Sequence, residues 1–400
     1  MKGINNIVKM ISTEEAYRIV TGNARETGTE IISFRDALGR ILAEDVISDT
    51  DMPPFNRSAV DGFACRKDDL GNELEITETI RAGKEPEKTV GKLQCARIMT
   101  GAIVPDSCDF VFMIENSTIL PSGKVVFTGI PRKLNYTLKG EDVRCGDIIL
   151  KKGRLIRPQE IAALTSVGHI SVKVARKPAI AVISTGDELV EPENKPERAR
   201  IRNSNAYQLL AQAESAGAKA KYYGIAPDDE SSTYDLISRA ISENELVIIT
   251  GGVSMGDFDF VPSVLRRAGV TILFDRVNVQ PGRPTTFGTH EKGVVFGLPG
   301  NPVSAFIQFE TLVKPLIYKM MGSEWTPLVQ NLPMAVKFER KSHSRAAWIP
   351  VAITDKNEAM PAEYHGSAHI TAYPNADGIV LMPPDKVIFE KGEIVSVRQI

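Results

Sequence analysis

Between residues 179 and 320, short apolar runs alternate with stretches whose hydrophobic positions recur at helical spacing. Residues 179–183, 221–225, 246–249, 270–274 and 294–296 read as strands, and residues 206–216, 232–242 and about 302–320 as helices. Continuously apolar strands linked by helices predict a doubly wound parallel α/β sheet, because only strands covered on both faces lose their polar alternation. Outside this region the pattern changes. Ser12-Thr13-Glu14-Glu15 reads as a capping box opening a helix to about Ala24, and residues 33–38 read as a second short helix. Residues 52–150 carry short β-type runs, such as 109–114 and 124–127, punctuated by glycine and proline, which predicts a β-rich module. A helix is predicted over 158–167, with Pro158 in its first turn and Gly168 as its stop. Beyond residue 327 the alternation is again that of strands, at 334–338, 347–353, 378–382 and 393–397.

Composition narrows the class. The 400 residues are 42% apolar, enough for several ordinary cores, and the formal net charge is −2. That balance gives no bulk attraction to nucleic acid or to an anionic membrane, so any bound anion is held locally. Cys65, Cys95, Cys108 and Cys145 form no Cys-x-x-Cys pair and no zinc-spaced cluster, and read as reduced thiols. With no signal-like or membrane-spanning apolar run, the expectation is a cytoplasmic protein.

In an open parallel sheet, ligands bind beyond the carboxyl ends of the strands. Three loops fall there. Gly251 and Gly252 lack Cβ atoms, so their amides can approach a ligand closely, and Ser254 adds a hydroxyl. In Gly297-Leu-Pro-Gly-Asn-Pro302, Asn301 stands as an N-cap candidate and Pro302 as a first-turn residue, which would expose helix-start amides. The same loops also serve as plain strand-to-helix turns. The third loop, Ser184-Thr-Gly-Asp-Glu188, carries carboxylates that repel a naked phosphate. Asp187 and Glu188, with Asp257 and Asp259 of the second loop, therefore point to a bridging divalent cation, and magnesium suits carboxylate and phosphate oxygens together.

Other templates fail. Gly251 to Gly256 has the glycine spacing of a phosphate-binding P-loop, but Asp257 stands in place of its lysine. No Gly-x-Gly-x-x-Gly follows the first α/β strand, and His365 and His369 lack the glutamate of a zinc-protease helix. Gln280-Pro-Gly-Arg-Pro-Thr-Thr286 places a guanidinium on a proline-stiffened loop, able either to clamp an oxyanion or to close a structural hairpin. Residues 53–63 join a rigid Pro-Pro approach to Ser58, Asp61 and Gly62.

Taken together, these motifs resemble the MoeA-like molybdopterin molybdenumtransferase family of molybdenum cofactor synthesis. The carriers, in order, are Pro54-Phe-Asn-Arg-Ser-Ala-Val-Asp-Gly-Phe63, Arg97-Ile-Met-Thr-Gly101, Gly140-Glu-Asp142, Ser184-Thr-Gly-Asp-Glu-Leu189, Thr250-Gly-Gly-Val-Ser254, Gln280-Pro-Gly-Arg-Pro284 and Gly297-Leu-Pro-Gly-Asn-Pro-Val-Ser304. The resemblance implies four domains. Residues 1–50 with 145–175 would form an N-terminal linking domain, 51–144 an inserted β-rich module, 176–326 the molybdopterin-binding α/β domain, and 327–400 a C-terminal β-barrel. It further implies a homodimer whose site lies in a cleft between subunits, with Asp61 and Thr100 arriving in trans. The implied reaction takes adenylyl-molybdopterin and molybdate, uses Mg2+, and yields molybdenum cofactor and AMP. By resemblance, Asp61, Thr100, Asp142, Glu188, Asp228 and Asp259 are the catalytic set, and Asp187, Glu188, Asp257 and Asp259 hold the metal. Ser184, Thr185, Gly186, Gly251, Gly252, Ser254, Pro299, Gly300, Asn301, Pro302 and Ser304 would hold the substrate. Gln280, Gly282, Arg283, Pro284, Arg345 and Ser367 would complete that set around the molybdate.

Two motifs depart from the family's usual residues: Gln280 and Arg283 replace lysines, and Asn56-Arg57-Ser58 replaces Asp-Asn-Ser. One cation is lost from the oxyanion loop and one is gained beside the loop expected in trans. Molybdopterin adenylylation, the preceding step, is the competing enzymatic reading; insertion of tungstate rather than molybdate is another. A scaffold role, known among eukaryotic relatives, is disfavoured by the absence of a long Pro/Ser linker.

Overall fold

The computed structural model describes residues 10–131, 133–252, 261–340 and 344–400. At its centre stands a six-stranded sheet in the spatial order Lys219–Ala226, Ala179–Thr185, Leu246–Thr250, Gly293–Leu298, Thr286–His290, Thr271–Phe274. The first four strands are parallel. Their apolar runs split cleanly by face: Ile180, Val182, Leu246, Ile248 and Phe296 enter one core, while Ala181, Ile183, Val247, Ile249 and Val295 enter the other. Burial on both faces is why these strands show no polar alternation. Two antiparallel strands extend the edge. Thr286–His290 turns back from Gly293–Leu298 as a tight hairpin, and its glycine and threonines gave no apolar signal. Gly288 is needed there because a Cβ would stand 2.5 Å from Val270 Cγ1.

The helix expected over 302–320 runs as Pro302–Gln308, a π-turn over Phe309–Val313, and Lys314–Met320. The wider turn precedes Pro315, whose missing N–H and ring cannot fit the regular ladder. Asparagine rather than serine caps the helix Asn205–Ser215: Asn203 Oδ1 accepts from Ala206 N–H at 3.3 Å.

Near the N-terminus, Ser12 Oγ accepts from Glu15 N–H at 3.1 Å and starts the helix Thr13–Gly22. Ala16 and Val20 of that helix bury in the α/β core with Leu316 and Ile317 of the domain's last helix, and Ala175 joins the same cluster. The second predicted helix is a single 3-10 turn, Phe34–Asp36. Ala37, Leu42 and Val46 share a separate core with Ile156, Leu164, Val172 and Val174, so the chain leaves this unit and returns to it. Between the two passes lies a four-stranded sheet, in the order Glu75–Ile80, Gln94–Ile98, Gly62–Cys65, Phe110–Met113. It buries Cys65, Cys95 and Cys108 as free thiols, which burial pushes well above the ordinary thiol range.

The C-terminal strands run in the order Ala346–Ile353, Gly378–Met382, Ile394–Gln399, Val329–Pro333, with Ala359–Pro361 on the other side of the first. The strand expected at 334–338 begins earlier. Met334, just past its end, bridges Ala359, and Ala335 N–H donates to Ala359 O at 2.9 Å. That contact closes the sheet into a small barrel. Val279–Gln280 pairs in parallel with Ala346–Ala347 and stitches barrel to α/β domain. No helix among the described residues is long and apolar enough to cross a membrane.

Candidate functional site at the strand ends

Thr185, Thr250 and Leu298 end adjacent parallel strands, and their loops open on a cavity of about 700 Å³. Its wall takes Ser184, Thr185, Gly186 and Glu188 from the first loop, and Thr250, Gly251 and Gly252 from the second. Pro299, Gly300, Asn301 and Pro302 line it from the third, with Asp228 beyond the neighbouring strand and Pro284 from the proline-rich loop. The glycines are sterically required. Gly251 has φ +93° and a Cβ there would lie 2.6 Å from Thr185 O; Gly252 has φ +62° and would meet Thr185 Oγ1 at 2.9 Å. At Gly186, φ +132°, a Cβ would stand 2.4 Å from the Glu188 carboxylate. The first two loops therefore approach at backbone distance, leaving amides rather than side chains beside the cavity.

Sequence reasoning missed the asparagine that locks the loops together. Asn205 Nδ2 donates to Thr250 Oγ1 at 2.9 Å and to Gly300 O at 2.8 Å, while Thr250 Oγ1 donates to Pro299 O at 3.1 Å. Ser184 lies on the wall, yet its hydroxyl is committed to Asn203 Oδ1 at 2.9 Å. Asn203 in turn donates to Tyr222 Oη, and Tyr222 donates to Glu191 at 2.8 Å. Burial and the Glu191 carboxylate push the Tyr222 phenol up, so it stays protonated and keeps donating. The visible signal for this relay was only a polar Asn-Ser-Asn at a helix start.

Some expectations change. Asn301 occupies the N-cap position, but its amide turns to Ser367 Oγ at 2.9 Å, and Ser367 O accepts from Val303 N–H at 3.1 Å. A serine of the C-terminal domain therefore supplies the cap, since its carbonyl outcompetes a side chain already engaged elsewhere. Ser304 is buried under the helix and does not reach the cavity. Gln280, Gly282 and Arg283 also lie off its wall. Instead, the parallel pairing of Val279 with Ala346 sets that loop beside Arg345. Gly282 is filled behind by Gln308, which a Cβ would meet at 2.2 Å.

Asp187 and Asp228 exchange backbone bonds: each carboxylate accepts from the other's N–H, at 3.2 and 3.3 Å. Glu188 and Asp228 face the cavity. Ser254, Asp257 and Asp259 lie outside the described residues. Among the described residues no three carboxylate, histidine or cysteine groups converge as a ready cage. That donor set fits magnesium, which keeps several waters and takes one or two carboxylates plus substrate phosphate oxygens. Asp61 and Thr100 meet in the inserted module: Thr100 N–H and Oγ1–H donate to Asp61 Oδ1 at 2.6 and 2.7 Å. Those two bonds hold the Asp61 carboxyl below its usual range. Asp142, in the same module, donates its N–H to Met52 O, and none of the three lines the cavity.

Comparison with known proteins follows the same map. Residues 11–168 match the MoeA N-terminal region (domain I and II), residues 181–319 a probable molybdopterin binding domain, and residues 331–400 the MoeA C-terminal region (domain IV). The molybdopterin molybdenumtransferase of Staphylococcus epidermidis RP62A is 35% identical, over 97% of this chain and 95% of its own. The enzyme of the same name from Staphylococcus aureus Mu50 is 33% identical over the same shares. Among solved structures, a molybdopterin biosynthesis MoeA protein from Pyrococcus horikoshii OT3 superposes with a TM-score of 0.86 at 29% identity, covering 98% of this chain and all of the other. With its three regions in family order and an enzyme of the family aligned along nearly all of its length, the chain belongs to the molybdopterin molybdenumtransferase family.

Proposed function

We propose that the protein is a transferase of molybdenum cofactor synthesis that takes adenylyl-molybdopterin and molybdate and releases molybdenum cofactor and AMP. The observation that carries this reading is the juxtaposition of glycine amides with the carboxylates of Glu188 and Asp228 on one cavity wall. Amides suit phosphate oxygens; carboxylates suit the cation that bridges them. The cavity is also of a size that accepts a drug-sized or nucleotide-like ligand.

In this reading the first two loops orient the phosphates, and Asn205 keeps the second and third loops at a fixed separation. Glu188 and Asp228, with Asp187 behind them and Asp257 and Asp259 from the adjoining segment, would hold Mg2+. Bound there, the ion would neutralise charge as AMP departs. Molybdate, positioned by the Gln280–Pro284 loop with Arg345 and Ser367, supplies the attacking oxygen and meets the dithiolene sulfurs. Asp61, Thr100 and Asp142 would enter from a second subunit. Support for that dimer comes from the N-terminal unit, where Ile31, Ile47 and Ile148 are exposed on paired ribbons and Ile170 is exposed just before one.

Purified protein incubated with adenylyl-molybdopterin and Mg2+ tests this, with AMP measured in the presence of molybdate, tungstate or neither. Molybdate-dependent release is expected, and Asp187→Asn or Glu188→Gln should abolish it while leaving the oligomer intact. Equal AMP release without any oxyanion would overturn the insertion reading. Unchanged turnover in both variants would remove the metal assignment.

A further inference from the structure

The cavity wall bears one guanidinium among its described residues, that of Arg202. It stands on the strand Ile201–Arg202, which pairs in parallel with Leu189–Val190. Ile201 N–H donates to Glu188 O and Asn203 N–H to Val190 O, each at 2.8 Å. One short ribbon therefore fixes both an acidic and a basic point of the wall. Arg202 Nε donates to Pro192 O at 3.0 Å and to Asn194 O at 3.2 Å. This bifurcated hydrogen bond from the single Nε–H anchors the guanidinium plane to a proline-stiffened loop. Its two terminal amino groups have no acceptor among the described residues.

A guanidinium held by Nε presents the remaining donors as a pre-set fork, which matches two oxygens of a phosphate and loses little side-chain entropy on binding. Glu188 and Asp228 repel any phosphate oxygen that no cation shields. The unshielded anionic end of a ligand in this cavity is thus drawn toward Arg202. Arg283 and Arg345, the arginines that sequence motifs single out, lie off this wall.

We infer that Arg202 binds a phosphate group of the substrate, an assignment that rests on the cavity being the adenylyl-molybdopterin site. Phosphate reaches the cavity from two sources, the adenylyl group and the molybdopterin side, and titration calorimetry of the full chain separates them. The probes are AMP, adenosine and molybdopterin at constant Mg2+. Arg202→Gln is expected to weaken a phosphate-bearing probe about 10- to 100-fold, the worth of a charge-assisted bond, and to leave adenosine unchanged. Arg202→Lys keeps the charge without the fork and should fall between, which guards the result if the glutamine variant folds poorly. Loss for AMP alone assigns the adenylyl phosphate; loss for molybdopterin alone assigns the pterin-side phosphate; loss for both places the arginine at the junction between them. Wild-type binding that both variants leave intact, or adenosine weakened as much as AMP, overturns the arginine assignment and spares the functional reading. A wild type that binds neither AMP nor molybdopterin overturns both.

Discussion

Gly251 shows how narrowly some residues of this site are determined. Its φ of +93° and the 2.6 Å approach of a notional Cβ to Thr185 O leave no room for alanine. Gly251→Ala should cost about 1–3 kcal/mol in denaturant unfolding and reduce activity more than stability, because the displaced loop carries the cavity amides. A variant as stable as the wild type would show that the loop gives way freely. Asp61 offers a different test. Thr100 holds its carboxyl low through two donors, so the ionised form persists as pH falls below the ordinary carboxylate range. Thr100→Val removes the hydroxyl donor and leaves the amide, and the Asp61 pKa should rise toward its usual value. If ionised Asp61 is needed for turnover, the acid limb of the pH–rate profile moves to higher pH; an unmoved limb removes that need. Residues such as Gly251 and Asp61 were legible because their motifs are contiguous. Asn205 and Tyr222 were not, since each acts through partners 19 to 95 positions away that only the fold brings near.

At the scale of elements, what the sequence revealed was the part buried on both faces. Strands such as Leu246–Thr250 and the helices flanking them follow from apolar period alone. The strand Thr286–His290 did not, although it lies between Gly293–Leu298 and Thr271–Phe274, because its glycine and threonines break the apolar run. Helix Pro158–Ser166 was legible at both ends, yet its strongest anchor was not. Glu160 is buried, accepts from Arg157 N–H at 3.0 Å, and bonds the guanidinium groups of Arg154 and Arg157. Those bonds, that of Arg157 foremost, lower its pKa to about 2 from 4.5. The sign is that of a depressed acid: its stabilisation is complete above about pH 4.5 and is lost as pH falls toward about 2. Glu160→Gln should therefore lower stability by about 1–3 kcal/mol near neutral pH. The melting temperatures of variant and wild type should converge across that acid window. A constant difference down to pH 2 would assign the loss to packing instead.

At the largest scale, the proposed function needs more than a single chain. Asp61 and Thr100 are bonded to each other in the inserted module, while Glu188 and Asp228 face the cavity of the α/β domain. The wall of that cavity carries Glu188 and Asp228 but neither Asp61 nor Thr100. In the proposed dimer the exposed isoleucines of the N-terminal unit would form the contact, and a two-fold arrangement would repeat it. Mixing two inactive variants then distinguishes the arrangements. In Asp61→Asn and Glu188→Gln homodimers, each site lacks one group. A mixed dimer with sites built in trans has one site with both groups intact and one with neither. Random exchange makes about half the dimers mixed, so about one quarter of wild-type activity should return. Sites built within one subunit regain nothing, because every chain in the mixture still carries a lesion. Ile31→Glu with Ile170→Glu extends the argument, since monomers by size-exclusion chromatography should lose molybdate-dependent AMP release while the α/β cavity still binds AMP. Monomers that turn over at the wild-type rate would place the whole reaction inside one chain.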